Sequence, residues 1–412
     1  MKKIIIIGVI GVTLLLSACS KSNGKENDTK EYIGQTFDTI SESDLGSYKE
    51  ELLDLSKYNI ENDGNDEIID GIIWNYMAIS DKGYYYWVMS GQYDFLYFMD
   101  KATGKSVPLC NRPDCEHIDE NCNAYYKTVI HSSADGVEFD RNRVLFCDGF
   151  VYILGHDFDG EHYLYRISED GSKQEQYMRL YKKELTQTGS EGQSMTYTTP
   201  EICIHKGYVY FIIPRETVPT IYRMQLGSEN VEKVFELKTE RPNLYRMLPY
   251  GDFIFFQAGI FSEDYFDVDG GIFAYNVTNG EIKLVKSEAI SAYKVVGNSL
   301  YYAKSDGVYR YDMNGTFDER IVEYENYPIF SVDDKYIYIE DGRNIKIYDI
   351  KGEYILTPQV DDNLDIFGIY FGDNKYIFAK GYETVGTDKK SYIVYIDVSQ
   401  IENGKVLWQK IN

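Results

Sequence analysis

The chain of 412 residues carries 66 acidic and 42 basic residues, which gives a net charge of −24 at pH 7. A surface this acidic repels phosphate backbones and anionic headgroups, which argues against nucleic-acid binding and polybasic membrane contacts. Hydrophobic content is ordinary at 43%, but 40 tyrosines and 20 phenylalanines are many, and aromatic residues favour strands.

The first eighteen residues have the layout of a secretory signal. Two lysines precede an apolar run from Ile4 to Leu16, and two small residues follow the run. The run is too short to span a membrane comfortably. We therefore interpret residues 1–18 as a signal peptide.

The next residue is a cysteine in a specific context. Leu16-Ser17-Ala18-Cys19 resembles the lipobox of bacterial lipoproteins, in which the signal is cut before the cysteine and the thiol carries a diacylglycerol. The resemblance implies lipidation of Cys19, and the alternative is a plain secretory peptide that ends in cysteine. Because each buried methylene contributes roughly 0.8 kcal/mol, a doubly acylated cysteine would be a stable membrane anchor. We therefore expect the protein to be lipid-anchored at the extracytoplasmic face of a cell membrane.

A polar stretch follows the cysteine. Ser20 to Tyr32 is rich in Lys, Asn, Ser, Glu and Asp and cannot bury enough apolar surface to fold. Residues 19–32 are therefore interpreted as the lipidated cysteine with a flexible tether.

Residues 33–69 form an N-terminal segment before the first repeat. Leu45, Tyr48, Leu52 and Leu55 recur within it at helical spacing. The spacing predicts a short amphipathic helix between Ser43 and Lys57, which would pack on one face of the folded body or plug one end of it. An ordered linker is the alternative.

The rest of the chain repeats one pattern seven times. Each unit has a turn, an aromatic strand, a further strand closed by a turn that usually contains glycine, and a final strand, which is typical of an antiparallel meander. The aromatic strands begin at Tyr84, Phe150, Tyr208, Phe253, Leu300, Tyr336 and Tyr376. Another short strand precedes each of them, so the unit contains four strands.

Four-stranded units that recur at about the spacing of these aromatic strands are typical of propeller blades. A radial arrangement of such units buries both faces of each sheet. We therefore predict an all-β fold, a seven-bladed β-propeller over residues 70–412. A sandwich or an open solenoid is the competing interpretation. An eighth blade is possible if Tyr32 to Ile40 supplies extra strands.

An insertion at residues 108–130 lies between the aromatic strands of the first two repeats. It contains Cys110, Cys115, His117 and Cys122. Their three thiols and one imidazole supply four donors, the number that a tetrahedral zinc site takes. With Cys19 lipidated, five cysteines remain, an odd number that cannot all pair. We predict a structural zinc site on these four residues. A disulfide between two of the thiols and three free thiols are the alternatives.

The chain as a whole resembles a family. Uncharacterised lipobox lipoproteins of Firmicutes carry tyrosine-rich propellers with a Leu-Cys-Asn-x-Pro-Asp-Cys-x-His segment after an early blade, here Leu109 to His117. Their repeats are similar to the propeller of low-density-lipoprotein-receptor proteins, although the YWTD strands of that propeller are not reproduced here. The resemblance implies a propeller of unknown function and no enzymatic activity.

The chain shows no motif that specifies catalysis. Ala102-Thr103-Gly104-Lys105-Ser106 lacks the first glycine of a phosphate-binding loop and reads as a hairpin turn. His156 and His162 flank an acidic turn that would be either solvated or a metal or acid/base cluster. We assign no catalytic residue and predict a binding or scaffolding module for an unknown protein or carbohydrate. The alternative function is a surface polysaccharide hydrolase or lyase acting at a propeller mouth.

Overall fold

The seven sequence repeats fold as seven antiparallel sheets. The computed structural model describes residues 38–58, 77–90, 93–128, 137–157, 159–182, 200–261, 268–288, 290–325, 327–385 and 388–411. In each sheet four strands pair in chain order, each with the next. The predicted all-β, seven-bladed propeller is confirmed, and the sandwich and the open solenoid are wrong. Among these described residues, no helix has the length and hydrophobicity needed to cross a membrane.

The first four blades are defined by these strands. Blade 1 contains β2 (Met77–Ile79), β3 (Gly83–Ser90), β4 (Tyr93–Asp100) and β5 (Ser106–Pro108), with β6 (Tyr125–Tyr126) also on β4. Blade 2 contains β7 (Glu138–Cys147), β8 (Phe150–His156), β9 (Glu161–Ser168) and β10 (Gln174–Lys182). Blade 3 contains β11 (Glu201–His205), β12 (Tyr208–Ile212), β13 (Thr220–Gln225) and β14 (Val231–Lys238). Blade 4 contains β15 (Pro242–Tyr250), β16 (Phe253–Phe261), β17 (Val268–Asn276) and β18 (Ile282–Lys286).

Three further blades complete the ring. Blade 5 contains β19 (Ala292–Val296), β20 (Ser299–Lys304), β21 (Gly307–Asp312) and β22 (Asp318–Glu323). Blade 6 contains β23 (Phe330–Val332), β24 (Tyr336–Asp341), β25 (Asn344–Asp349) and β26 (Tyr354–Leu356). Blade 7 contains β27 (Leu364–Gly372), β28 (Tyr376–Val385), β29 (Asp388–Asp397) and β30 (Gln409–Lys410), with a 3-10 helix at Val398–Asn403 between the last two strands.

The aromatic repeats of the sequence are the second strands of the blades. In blade 2, β8 is buried at every position after its first, whereas burial along β9 largely alternates. A strand that lies between two others and is covered by neighbouring blades needs apolar side chains on both faces. This requirement explains why the second strands are continuous aromatic and aliphatic runs.

The hydrophobic core is divided among the interfaces between blades. One cluster of buried apolar side chains lies between each pair of adjacent blades, from blades 1 and 2 through to blades 6 and 7. A seventh cluster joins Met77, Tyr84, Tyr86 and Met99 of blade 1 to Tyr376 and Phe378 of blade 7. The ring is therefore closed by side-chain packing between the first and last blades.

Both ends of the ring can be assigned from the strand order. The first strand of each blade is called its innermost strand here, because such strands contact one another between neighbouring blades, as β11 does with β15. The turns after these strands also meet: His205 Nε2 lies 2.9 Å from Gly251 O, and Lys206 contacts Asp252. The opposite end, where the innermost strands begin, is called the entry mouth here. The first residues of those strands there are Met77, Glu138, Glu201, Pro242, Ala292, Phe330 and Leu364.

The described N-terminal residues 38–58 form a strap along three blades. Its strand β1 (Asp38–Ser41) pairs in parallel with β14 and becomes a fifth strand of blade 3. The described part of Tyr32 to Ile40 therefore does not begin an eighth blade. A single helical turn, α1 (Glu42–Leu45), follows the strand.

The helix predicted from Ser43 to Lys57 is wrong beyond that turn. Leu53 N–H donates to Met313 O at 3.0 Å, and Leu55 N–H donates to Asn298 Oδ1 at 2.8 Å, so blade 5 uses donors that a helix would need. Leu53 and Leu55 are both buried in the cluster between blades 4 and 5. Tertiary packing overrides the local helical spacing here.

Candidate metal centre and a polar row in blade 2

The cysteine segment leaves the outer edge of blade 1 and returns to it. Strands β5 and β6 pair with different parts of β4, and the segment lies between them. Leu109 N–H donates to Leu96 O, and Leu96 N–H donates to Ala124 O, both at 2.8 Å. Both ends of the loop are thus fixed to one residue of β4.

The loop brings the four predicted ligands together. The Sγ atoms of the three cysteines and a ring nitrogen of the histidine all lie within 4.8 Å of one another, and the group consists of Cys110, Cys115, His117 and Cys122. A tetrahedron built on metal–sulfur bonds of about 2.3 Å has edges of about 3.8 Å. The group could therefore hold a metal ion with small adjustments of the side chains. Cys122 is buried and the other three are half-buried.

Local contacts hold the loop in this shape. Arg112 Nη1 donates to Asn121 O at 2.6 Å across the loop, and Cys115 N–H donates to Arg112 O at 3.3 Å. His117 adopts a left-handed backbone with φ of 56°, a conformation that non-glycine residues rarely adopt. Its Nδ1 lies 3.3 Å from Cys122 Sγ.

Burial and hydrogen bonding act in opposite directions on the thiols. Burial raises the pKa of Cys122 to about 12, and the neighbouring thiols of Cys115 and Cys110 add to this effect. Burial also opposes ionisation of Cys110, but the N–H groups of Arg112 and Asn123 and the adjacent thiols outweigh it and lower the pKa of Cys110. A bound cation would favour the thiolate form of all three cysteines.

The five described cysteines are all outside disulfides. Cys147 lies half-buried at the end of β7, and Cys203 is buried within β11. The structure therefore contains no disulfide among the three cysteines of the loop. The predicted lipidation site, Cys19, lies outside the described residues.

A second group of titratable side chains crosses blade 2. Glu138 of β7 is directly opposite His156 of β8, His156 is opposite His162 of β9, and His162 is opposite Tyr181 of β10. Directly opposite residues on paired strands share a face of the sheet. These four residues, here called the polar row, lie on one face at the entry mouth.

The polar row is buried and packed against blade 3. Its members have exposures of 1% to 8%, and the His162 and Tyr181 rings stack at 4.3 Å between centroids. Tyr181 also stacks on Phe211 of blade 3, with 5.8 Å between centroids. Burial lowers the pKa of His156, even though the carboxylates of Asp140 and Asp157 act in the opposite direction. Burial raises the pKa of Glu138.

The acidic turn and the glycine loop are structural turns. Asp157 Oδ1 accepts hydrogen bonds from the N–H groups of Asp159 and Glu161, both at 3.0 Å, so this carboxylate shapes the turn between β8 and β9. Thr103 N–H donates to Asp100 Oδ1 at 2.7 Å in the hairpin between β4 and β5, which confirms the predicted hairpin turn.

Sequence reasoning found the two histidines of the row but not Glu138 or Tyr181. The structure places His156 and His162 at strand ends and not within a solvated loop. The sequence feature that could have indicated Glu138 and Tyr181 is their position near the ends of predicted strands at the same mouth. That signal identifies a row only when the strand register is known.

Comparisons with known proteins show the fold alone. No protein-family profile matches the chain, and no curated protein matches it. A prolyl endopeptidase structure is 14% identical with a TM-score of 0.52, over 81% of this chain and 49% of that one. A puromycin hydrolase structure is 11% identical with a TM-score of 0.50, over 82% and 53%. A polysaccharide lyase structure bound to a fragment of ulvan is 12% identical with a TM-score of 0.45, over 83% and 98%.

The chain spans about half the length of the two peptidases that it matches. At identities this low the likeness is one of architecture, because the same fold carries many unrelated functions. The protein is a seven-bladed β-propeller with a Cys3His group that could hold a metal ion.

Proposed function

We propose that the protein is a lipid-anchored propeller at the extracytoplasmic face of a membrane, where it serves as a binding or scaffolding module. The observation that carries the binding role is the polar row, four buried polar side chains gathered at one mouth of a closed ring. Ligand sites are concave, mostly apolar and contain a few converging polar groups. The ring supplies a rigid support for such a site.

Photo-crosslinking tests the binding role in the full-length protein. A photoreactive amino acid at Phe367, which is 41% exposed on β27 near the entry mouth, should give a discrete adduct in host cells. The same probe at Leu407, which is 44% exposed near the outer edge of blade 7, is the matched control. Equal labelling at both positions, or none at either, would oppose a binding role for the mouth.

The lipid anchor is supported by the resemblance around Cys19 and by the polar stretch before the described body. Detergent phase partitioning of the full-length protein should place it in the detergent phase. Cys19→Ala should move it to the aqueous phase, and an unchanged distribution would contradict lipidation.

We further propose that the Cys3His group binds zinc in a structural role. Zinc favours tetrahedral sites of Cys and His, and four protein ligands leave no open position for water. Elemental analysis of the reduced protein should find about one zinc per chain. Cys115→Ser should remove the metal, whereas Cys147→Ser, outside the group, should retain it. Retention of zinc by Cys115→Ser would show that the ion lies elsewhere.

A second candidate function is cleavage of a polysaccharide at the same mouth. One observation favours it: a buried carboxyl and a buried imidazole, Glu138 and His156, lie 3.8 Å apart, and such pairs act as general acids and bases. Release of new chain ends from soluble polysaccharides, abolished by Glu138→Gln, would support catalysis. Product release that Glu138→Gln leaves unchanged would exclude this pair as the catalytic group.

A further inference from the structure

One face of blade 7 is covered by blade 1 at one end and open to solvent at the other. Tyr376, Phe378 and Tyr395 of this face belong to the cluster that closes the ring. Side chains at alternate positions of a strand lie on the same face of its sheet. The face therefore continues along β28 through Lys380 and Tyr382 toward the entry mouth. Both of these residues are half-buried, so solvent reaches them.

Strand pairing places an exposed aromatic ring beside them. Phe367 of β27 is directly opposite Lys380. Asp365 is opposite Tyr382, which is in turn opposite Ser391 of β29, and directly opposite residues share a face. Phe367 is 41% exposed, and its ring packs edge-on against the Tyr382 ring with 5.7 Å between centroids. These five residues are here called the open face.

The backbone fixes the position of Phe367. The register of β27 shifts between Phe367 and Ile369, and Gly368 between them has a φ of 65°, which glycine adopts without steric cost. Glu340 of blade 6 accepts a hydrogen bond from Ile369 N–H at 2.8 Å. The exposed ring therefore stands on a hydrogen-bonded bulge, and the Glu340 carboxylate is engaged by the backbone of that bulge.

Lys380 has no carboxylate partner among the described residues. Its Nζ lies 4.9 Å from the centroid of the Tyr382 ring. Other lysines over tyrosine rings have a further polar partner, and Lys375, for example, donates to Lys101 O. An ion pair with a carboxylate is formed by Lys57, Lys101, Lys286, Lys304, Lys346 and Lys410. In a chain with a net charge of −24, Lys380 is thus an exception.

The acidic groups around the open face are engaged elsewhere or lie in water. Asp365 Oδ1 is 3.3 Å from Arg343 Nη1. Glu383 lies on the opposite face of β28 and is 2.9 Å from Lys410 Nζ. Solvent screens the two exposed aspartates that precede β27, Asp361 and Asp362. Lys380 therefore carries the uncompensated charge of the open face, to which a carboxylate is complementary.

A sugar fits this surface better than a peptide does. The backbone of β28 is paired on both sides, so its face offers side chains alone. Extended peptides bind sheets through main-chain hydrogen bonds at an edge. A pyranose ring presents C–H groups on its flat side and hydroxyls at its rim. Phe367 supplies an apolar ring for the first, and the hydroxyls of Tyr382 and Ser391 donate to and accept from the second.

We propose that the open face binds a uronic acid residue of a polysaccharide. The sugar ring stacks on Phe367, and the sugar carboxylate accepts a hydrogen bond from Lys380 Nζ. A hydrogen bond between two charged groups is about twice as strong as a neutral one, so the carboxylate selects this class of sugar. The assignment rests on the proposed binding function and deepens it by naming the chemical class of ligand.

Calorimetry on the purified full chain tests the proposal with three probes. The first is a trimer of galacturonic acid, the second is the same trimer with every carboxyl group methyl-esterified, and the third is triglutamate. We expect the acid trimer to bind, and the ester trimer and triglutamate to bind at least tenfold more weakly. Salt at about 0.15 M shortens the Debye length to about 8 Å, which screens repulsion by the net charge of the chain. All three titrations use the wild-type protein, so they do not depend on the folding of a variant.

Variants identify the residues. Lys380→Gln should weaken binding of the acid trimer by about tenfold or more and leave the weaker binding of the ester trimer unchanged. Phe367→Ala should weaken binding of both trimers, whereas Phe367→Tyr keeps an aromatic ring and should retain it. Lys390→Gln is the matched control, because Lys390 is exposed on β29 and lies on the other face of the same hairpin.

The outcomes separate this proposal from the wider one. Failure of the acid trimer to bind, equal binding of the ester trimer or of triglutamate, or full affinity in Lys380→Gln would overturn the proposal. If the acid trimer does not bind while the photoreactive probe at Phe367 still gives a discrete adduct, the uronic acid assignment is wrong and the binding module stands.

Discussion

Tyr84 and Asp373, 289 residues apart in the sequence, meet where the ring closes: Tyr84 Oη donates to Asp373 Oδ2 at 2.7 Å. Lys101 Nζ lies 2.8 Å from the same oxygen, and the Tyr84 ring packs on Phe378 at 4.8 Å between centroids. The Asp373 side chain is 9% exposed. Three contacts of different kinds therefore join blade 1 to blade 7 at this point.

Tyr84→Phe should lower the free energy of unfolding by about 1.5–3 kcal/mol, the usual contribution of a hydrogen bond to a charged group. The ring still packs in the variant, so the loss reports the hydroxyl alone. Chemical denaturation measures it. Tyr309→Phe is the matched control, since its hydroxyl bonds to Asp306 in an exposed setting, and a shift as large as that of Tyr84→Phe would contradict the role in closure.

The blades could be predicted from the sequence, but ring closure could not. Strand and turn signals are local, as in the buried run of β8 followed by the alternating β9, and they recur often enough to count seven units. Closure of the ring places Tyr84 beside Asp373, and no local pattern relates two residues so far apart in the sequence. The fold class was therefore available from periodicity, whereas the contacts that complete it were not.

The strap should contribute to stability through its buried leucines. Leu55 is fully buried between blades 4 and 5, so Leu55→Ala should cost about 2–5 kcal/mol of unfolding free energy. Leu52, three residues earlier, is 59% exposed, and Leu52→Ala should change stability by less than about 0.5 kcal/mol. Denaturation midpoints that fall equally in the two variants would show that the strap is not docked as described.

The same two leucines show why the strap was predicted incorrectly. Leu52 and Leu55 both fit a helical stripe with Leu45 and Tyr48, yet one is exposed and the other is buried. The apolar spacing that favours a helix is also satisfied by an extended segment that contacts successive blades. Propensity cannot separate these outcomes, because the deciding partners, Met313 and Asn298, are remote in sequence.

If the proposed zinc occupies the Cys3His group, its removal should loosen the outer edge of blade 1 and leave the rest of the ring intact. The loop is fixed to β4 through Leu96, so a chelator should accelerate amide hydrogen exchange in residues 109–126. Strand β28 on blade 7 should keep its protection and serves as the internal reference. Exchange that rises equally in both regions would mean that the metal supports global folding and not a local clip.

The candidate metal centre could be predicted because its four residues lie in one short loop. The polar row could not, because its members come from four strands. Register shifts interrupt the pairing of β7 with β8 and of β10 with β9. Counting residues from the turns therefore misplaces Glu138 and Tyr181 relative to the histidines. A bulge changes which face a side chain occupies, and sequence periodicity alone does not locate it.

Acidification should release the C-terminal end of the strap. Asp252 accepts hydrogen bonds from Lys206, Tyr58 and Lys57, with Lys57 Nζ at 3.1 Å, and these bonds hold the pKa of Asp252 well below its usual value of 3.8. A group with a depressed folded-state pKa stabilises the fold fully above its unfolded pKa and loses that contribution as the pH falls. The protection of the amides of residues 52–58, measured relative to their intrinsic exchange rates at each pH, should therefore fall as the pH drops below about 3.8. Asp252→Asn should show low protection of residues 52–58 already at pH 7. Asp170 lies in a turn of blade 2, and its carboxyl pKa is also lowered, so Asp170→Asn is the matched control and should leave the protection of residues 52–58 unchanged.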